Sequence, residues 1–233
     1  MNTTTSASGA FREECDQIWT ALHRHPFITE LAEGTLPLDK FRFFLEQDNF
    51  YLEEYGRCLA MGAAKSRTER ELRNFTVDLN QVLDAEIPSN RELLAKVIEL
   101  GAEDRGGSIA MAPANVAYTS YMQALSLRGG PLDIIAALLP CSWSYVEIAT
   151  ALLERTDTTH PAYGGWIGYF SRPEVVDMVA QMRRDFDELI VHEATTEKRW
   201  RDIADIFATS SRLERGFWQM AYTLEQWPDL LEG

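Results

Sequence analysis

"LDKFRFFLEQDNFYLEEYGRCLAMGAA", residues 38–64, decides the fold class. Apolar residues recur there at three- and four-residue spacing: Phe41, Phe44 and Leu45, then Tyr51, Leu52, Tyr55 and Leu59. That is the helical period, and no strand-like alternation interrupts it. One position breaks the pattern. Position 48 is due for an apolar side chain and carries Asp48. A carboxylate on a core-facing stripe is costly unless it is paired or hydrogen-bonded. Tyr51 and Tyr55 lie three and seven residues further on and share its face. Asp48 is therefore a structural acid held by tyrosines or by another helix's cap, or a fixed acceptor for a polar ligand between helices.

Outward from this stretch the same period runs through nearly all of the 233 residues. Break signals separate the helical runs: "EGTLPLDK" (33–40), "LGAEDRGGSIAMAPA" (100–114), "LRGGPLD" (127–133), "RTDTTHPAYGG" (155–165) and "SRPE" (171–174). In the last of these, Ser171 is expected to cap a helix, with Glu174 closing a capping box. There is no repeat and no low-complexity run. The longest helix-poor stretch, about 15 residues, is too short to divide the chain. The expected fold is all-α, a single-domain helical bundle of roughly seven to nine helices. It is expected to span residues 9–233, after a flexible polar tail over residues 1–8.

Composition excludes several function classes. The net charge is −14 and the pI about 4.7. Such a surface repels phosphate backbones and anionic lipid, so no nucleic acid and no membrane partner is expected. No uncharged apolar run reaches the length of a membrane span. The N-terminus lacks the basic region and apolar run of a secretory signal. Cys15, Cys58 and Cys141 have neither zinc-knuckle nor disulfide spacing, which fits a reducing, cytoplasmic location.

Two further helices carry polar residues on apolar stripes. In the last, expected over about 201–226, the stripe is Ile203, Ile206, Phe207, Ser210, Leu213, Phe217, Trp218 and Ala221, and Glu214 lies on it. "SRLE" (211–214) also matches a capping box, which would make Glu214 a helix-start residue. The unbroken period through Ser211 favours an inward-facing carboxylate. The other helix contains "LLPCSWSY" (138–145). Its inward face is Ile134, Ile135, Leu138, Cys141, Tyr145 and Ile148. Tyr145 sits one turn beyond Cys141. Pro140 removes one backbone N–H and is expected to kink the helix beside the thiol. A buried free cysteine is ordinarily a small hydrophobe, so Cys141 alone does not declare a nucleophile.

Tyrosines recur: Tyr51, Tyr55, Tyr118, Tyr121, Tyr145, Tyr163 and Tyr169. They can line a pocket for a flat ring or serve as core aromatics with bonded hydroxyls. Glu188 and His192 have metal-pair spacing, but no second Glu/His pair accompanies them, and no metal and no cofactor is expected. Nucleotide-binding glycine motifs and the G-x-S-x-G elbow are missing from the sequence.

Five segments together resemble the TenA family: "HPFITELAEGTLPLDKFRFFLEQDNFYLEEYGR" (25–57), "AYTSYM" (117–122), "LLPCSWSYVEI" (138–148), "YGGWIGYFS" (163–171) and "LERGFWQMAY" (213–222). They occur in the family's order and spacing, and the likeness runs from about Phe11 to the end. The resemblance implies a haem-oxygenase-like helical fold without haem, assembled as a homotetramer. It implies an enzyme, an aminopyrimidine aminohydrolase of thiamin salvage with thiaminase II activity. Its substrate would be a small pyrimidine. By position it implies Cys141 as nucleophile and Glu214 as acid/base. Asp48 would hold the ring nitrogen and exocyclic amine, with Tyr51, Tyr118, Tyr145, Tyr169 and Phe217 around the ring. The cysteine after "LP" places the chain with the cysteine-containing subgroup. Asn90 stands where many members have histidine. The reading from another class is a non-catalytic pyrimidine-binding or regulatory module on the same fold.

Overall fold

A computed structural model of the chain describes residues 6–104, 109–153 and 156–228. Among the described residues there are eleven α-helices and one π-helical turn, and no strand. The helices are α1 (Ala7–Glu14), α2 (Asp16–His23), α3 (Pro26–Glu33), α4 (Leu38–Lys65), α5 (Glu69–Gln81), α6 (Ile87–Glu99), α7 (Pro113–Arg128), α8 (Pro131–Leu153), α9 (Gly164–Ser171), α10 (Pro173–Glu193) and α11 (Glu197–Thr223). The π-turn, Val82–Glu86, joins α5 directly to α6.

Two long helices organise the bundle. α8 is buried nearly end to end and touches α4, α7, α9, α10 and α11. By length and composition it could cross a membrane, but 78% of its most apolar stretch is buried inside the protein. It is a core helix. Its two acids are matched at the edges: Asp133 accepts two hydrogen bonds from Arg199 at 2.8 Å, and Glu147 pairs with Arg12 and His23. α4 is the second organiser and packs on α5, α6, α7, α8 and α11. Its face toward α11 is aromatic, with Phe44 stacked on Trp218 at 4.9 Å and Phe27 wedged against both. Burial of rings at these spacings is the main stabilising term of the core.

Several helix ends follow their chemistry. Gly34 ends α3 at φ 72°, a left-handed position that suits glycine. Thr68 caps α5 by accepting from the Glu71 N–H, and Thr196 caps α11 by accepting from Arg199. α11 thus starts about a turn earlier than its apolar stripe announces.

Three sequence expectations are corrected. The tail is shorter than expected: α1 starts at Ala7, and Ser8 is fully buried, donating from its backbone and hydroxyl to Asp187 at 2.7 and 3.0 Å. Of the expected tail, residues 1–5 lie outside the described residues. The helices outnumber the seven to nine expected. The breaks at Cys15 (φ −91°, ψ 7°) and Arg24 (φ −96°, ψ 8°) sit just off helical geometry. The break at Cys15 has no glycine or proline beside it, whereas the one at Arg24 is marked in the sequence by "HRHPF", with Pro26 opening α3. Finally, Ser171 does not cap α10. It is the last residue of α9, and its hydroxyl donates to the Ile167 carbonyl at 2.6 Å. Proline restricts the residue before it to extended backbone, so Arg172 takes the cap position ahead of Pro173.

The segment that seats α9 depends on a close backbone approach. A Cβ on Gly164 would lie 2.1 Å from the Thr158 carbonyl oxygen. Gly164→Ala is expected to destabilise the protein by about 1–3 kcal/mol, the usual range for overpacking. Thermal unfolding checks this. A melting temperature equal to wild type would show that the 158–164 loop yields freely.

Candidate active site

Four helices aim polar groups at one point in this core. α4 supplies Asp48, Tyr51 and Tyr55, and α7 supplies Tyr118. α8 supplies Cys141 and Tyr145, and α11 supplies Ser210, Glu214, Phe217 and Trp218. All are buried: Asp48 is 4% exposed, Cys141 8% and Glu214 2%. α9 closes the side with Trp166, Tyr169 and Phe170.

Glu214 lies in mid-helix, facing inward. The capping-box alternative fails because Ser211 is an interior residue of α11. The Ser211 hydroxyl donates to the Phe207 carbonyl at 2.9 Å and accepts from the Trp19 indole at 3.1 Å. Glu214 Oε2 accepts from the Tyr118 hydroxyl at 3.2 Å. Oε1 is buried without a well-formed hydrogen bond, as is the Trp218 indole N–H. Burial raises the Glu214 carboxyl to about 7, while Tyr118, Cys141 and Trp218 pull the other way. An acid poised there can both give and take a proton near neutrality.

Asp48 is the second unusual carboxyl. Among the described residues no side chain or backbone N–H forms a hydrogen bond to it, so the structural reading, an acid held by tyrosines or a helix cap, has no bond there to rest on. Burial pushes its pKa well above the ordinary value, and the charges of Glu86 and Glu214 add to the rise. It lines a narrow cleft with Glu86, Asn90, Trp166 and Tyr169 among the walls.

Cys141 lies between these acids. Burial holds its thiol well above the usual range and Glu214 reinforces this, while the Tyr51 hydroxyl pulls it down. The sulfur is therefore a protonated thiol at rest. Pro140 lies inside α8, which continues without interruption to Leu153. Neighbouring carbonyls take donors from outside the helix. Ser210 donates to Ala137 at 2.5 Å, and Tyr55 approaches Leu138 at 3.5 Å while its hydroxyl meets Ser142 at 2.8 Å.

The rings form a continuous wall. Tyr51 lies 5.0 Å from Tyr118 and 5.6 Å from Phe217, and Tyr145 lies 5.1 Å from Trp218 and 4.9 Å from Phe170. Tyr169 joins through Phe170, at 4.9 Å. The expected ring-pocket residues thus gather around Cys141 and the cleft. Tyr163 does not: it donates to the Leu36 carbonyl and stacks on His160. Glu188 and His192 make no ligand pair, since Glu188 is bonded by Arg70. Among the described residues no group of three or more His, Cys, Asp or Glu side chains could hold a metal ion.

Over residues 12–224 the chain matches the model of the TENA/THI-4/PQQC family. The chain belongs to that family. A relative from Halalkalibacterium halodurans, named aminopyrimidine aminohydrolase, is 36% identical over 95% of this chain and 98% of its own length. One of the same name from Helicobacter pylori is 32% identical over 90% of this chain and 95% of its own. Among solved structures, a TenA family transcription regulator from Silicibacter sp. TM1040 superposes with a TM-score of 0.85 at 26% identity, covering 96% of this chain and all of the other. A Shewanella denitrificans domain with a heme oxygenase-like fold gives 0.64 at 12% identity, over 92% and 91% of the two chains, which shows the fold alone.

Within this TENA/THI-4/PQQC fold the sequence reading missed Ser210 as the partner of Tyr118, and it missed Glu86. Ser210 was visible as a polar member of the α11 stripe. Glu86 carried the same kind of signal: it lies four, seven and eleven residues after Val82, Leu79 and Phe75, on one helical face with them.

Glu214 also sets a pH dependence of stability. Its folded pKa of about 7 lies above the ordinary value of 4.5. The unfolded chain therefore loses this proton first, and stability falls as pH rises from about 4.5 to about 7. The gap corresponds to on the order of 3 kcal/mol once complete. Glu214→Gln removes this loss. The variant should melt several degrees above wild type near pH 8 and within about a degree of it near pH 4.5. Parallel thermal melts check this, and a difference independent of pH would contradict it.

Proposed function

We propose that the protein is a hydrolase of thiamin salvage that replaces the amine of an aminomethyl-pyrimidine by water through covalent catalysis at Cys141. It would act on thiamin itself as thiaminase II, with the thiazole as leaving group. The observation that carries this reading is that the buried Cys141 is close enough to feel the charges of both Asp48 and Glu214, two buried acids whose carboxyls hold their protons to higher pH than ordinary carboxyls do. Membership of the family and relatives named aminopyrimidine aminohydrolase support the substrate class.

The steps follow from the groups present. An aminopyrimidine enters among Tyr51, Tyr118, Tyr145, Tyr169 and Phe217, with its ring nitrogen and exocyclic amine on Asp48. A protonated Asp48 donates to the ring nitrogen and makes the ring more electrophilic. The Cys141 thiol passes its proton to ionised Glu214 as sulfur bonds to a ring carbon, so no free thiolate is left buried. The displaced ring electrons settle on the nitrogen that Asp48 protonates. Glu214 then returns its proton to the amine, which leaves from the exocyclic methylene as ammonia. Water adds to that carbon and gives a proton to Glu214. Sulfur departs, the ring regains aromaticity, and the ring-nitrogen proton and Glu214's proton return to Asp48 and Cys141. The net change is water for ammonia, and one difficult step has become two easier ones. Tyr118 holds Glu214 in place through both transfers.

The three free cysteines support a reducing, cytoplasmic site of action. A homotetramer is the expected assembly by resemblance to the family.

The test is release of ammonia from 4-amino-5-aminomethyl-2-methylpyrimidine. Cys141→Ser should abolish turnover, and Glu214→Gln should keep binding while kcat falls by about 10²-fold or more. Equal rates in wild type and Cys141→Ser would refute the covalent route. Binding without turnover by wild type would instead favour a pyrimidine-binding module.

A further inference from the structure

We propose that Glu86 is a positioning residue for the ring-binding end of the cleft: it keeps a proton on Asp48, so that Asp48 meets a neutral aminopyrimidine as a donor to the ring nitrogen and an acceptor from the amine. The inference deepens the aminopyrimidine reading and rests on it.

The geometry comes first. Glu86 closes the π-turn between α5 and α6, and it opens on the same cleft as Asp48. A π-turn inserts one extra residue into a helix and turns the following side chains onto another face, and such turns recur at functional sites. Asn90 lies one turn beyond Glu86, on the same face. Its amide donates to the Leu45 carbonyl of α4 at 2.9 Å, which locks the start of α6 against the helix that carries Asp48. Glu86 is thus held at the cleft by a backbone irregularity and a buried side-chain bond. Burial raises its own carboxyl to about 7.

The charges facing it can be named element by element. Asp48 and Tyr55 face it from α4, Cys141 from α8 and Tyr169 from α9. Arg172, between α9 and α10, is the one cation recorded against it, and its guanidinium also lies 4.0 Å from the centre of the Tyr169 ring. Glu214 of α11 adds a second negative charge toward Asp48. Like charges in a shared site cannot both ionise cheaply, so the pair of carboxyls keeps a proton to higher pH than either would alone. A neutral pyrimidine with a ring nitrogen beside an exocyclic amine presents an acceptor and a donor. A protonated carboxyl is the matching donor and acceptor, whereas an ionised carboxylate only accepts.

The sign of the effect follows. Removing the Glu86 charge lets Asp48 lose its proton at lower pH, so ligand binding weakens at lower pH. Arg172 favours the ionised form of Glu86, so removing it leaves Glu86 neutral to higher pH and acts in the same direction.

The experiment measures the dissociation constant of 4-amino-5-hydroxymethyl-2-methylpyrimidine, which carries no amine to be released, by tryptophan fluorescence from about pH 5.5 to about pH 9. In Glu86→Gln the alkaline limb should move down by about one pH unit, weakening binding near pH 8 by about tenfold and near pH 6 by less than about twofold. Glu86→Asp should restore the limb. Arg172→Gln, which keeps Glu86 and serves if Glu86→Gln does not fold, should also move the limb downward, by less than Glu86→Gln does. Binding by wild type with a limb that neither variant moves overturns the inference and leaves the aminopyrimidine reading standing. No binding by wild type at any pH overturns both.

Discussion

Burying acids without cations is the constraint on which the site depends. Asp133 and Glu147 at the edges of α8 are matched by arginines, and the fully buried Arg42 has Glu46. Asp48 and Glu214 are buried as deeply and have no such partner; the charges that act on Asp48 are themselves negative. An ionised carboxylate in that setting is disfavoured, so Asp48 holds its proton to higher pH than an ordinary carboxyl and Glu214 exchanges its own near neutrality. The same environment raises the Cys141 thiol. In the proposed reaction the site would be a source and sink of protons beside a latent nucleophile, and a bound ring that accepts a proton would make the sulfur reactive.

Such a site needs a rigid frame, because groups that repel one another will separate if the helices can. The aromatic contacts supply the frame. Phe44 and Trp218 tie α4 to α11, Tyr145 ties α8 to both α9 and α11, and Tyr118 links α7 to Ser210 and Glu214. The apolar core thus does more than stabilise the bundle: it fixes the distances between acid, thiol and ring wall. The destabilisation at Glu214 is local and is outweighed by the surrounding core, the familiar exchange of stability for function.

Most of the frame was legible in the sequence, for a physical reason. Helix period, glycine and proline breaks and a continuous apolar stripe are local signals, and they placed α4, α8 and α11 to within a turn at their starts. Asp48 and Glu214 stood out because each is a polar residue in a series that demands apolar ones. What local pattern cannot carry is the partner. Whether Ser211 caps a helix or bonds Trp19 depends on a residue 192 positions away. Whether Asp48 is a structural acid depends on donors that other helices do or do not bring. Of the two breaks near the start, the one at Arg24 is marked by "HRHPF", a helix end with Pro26 opening the next helix, whereas the near-helical break at Cys15 leaves no compositional mark.

Glu86 was within reach of the same rule. At 3.6 residues per turn Phe75, Leu79, Val82 and Glu86 share one face of α5 and the turn that follows it, and the first three are apolar. Glu86 is thus a carboxyl in a series that demands apolar side chains, as Asp48 and Glu214 are. What local pattern does not carry is the π-turn at Val82–Glu86 and the cleft that Glu86 shares there with Asp48, because that cleft is closed by Trp166, Tyr169 and Phe170 of α9, some eighty residues further along the chain.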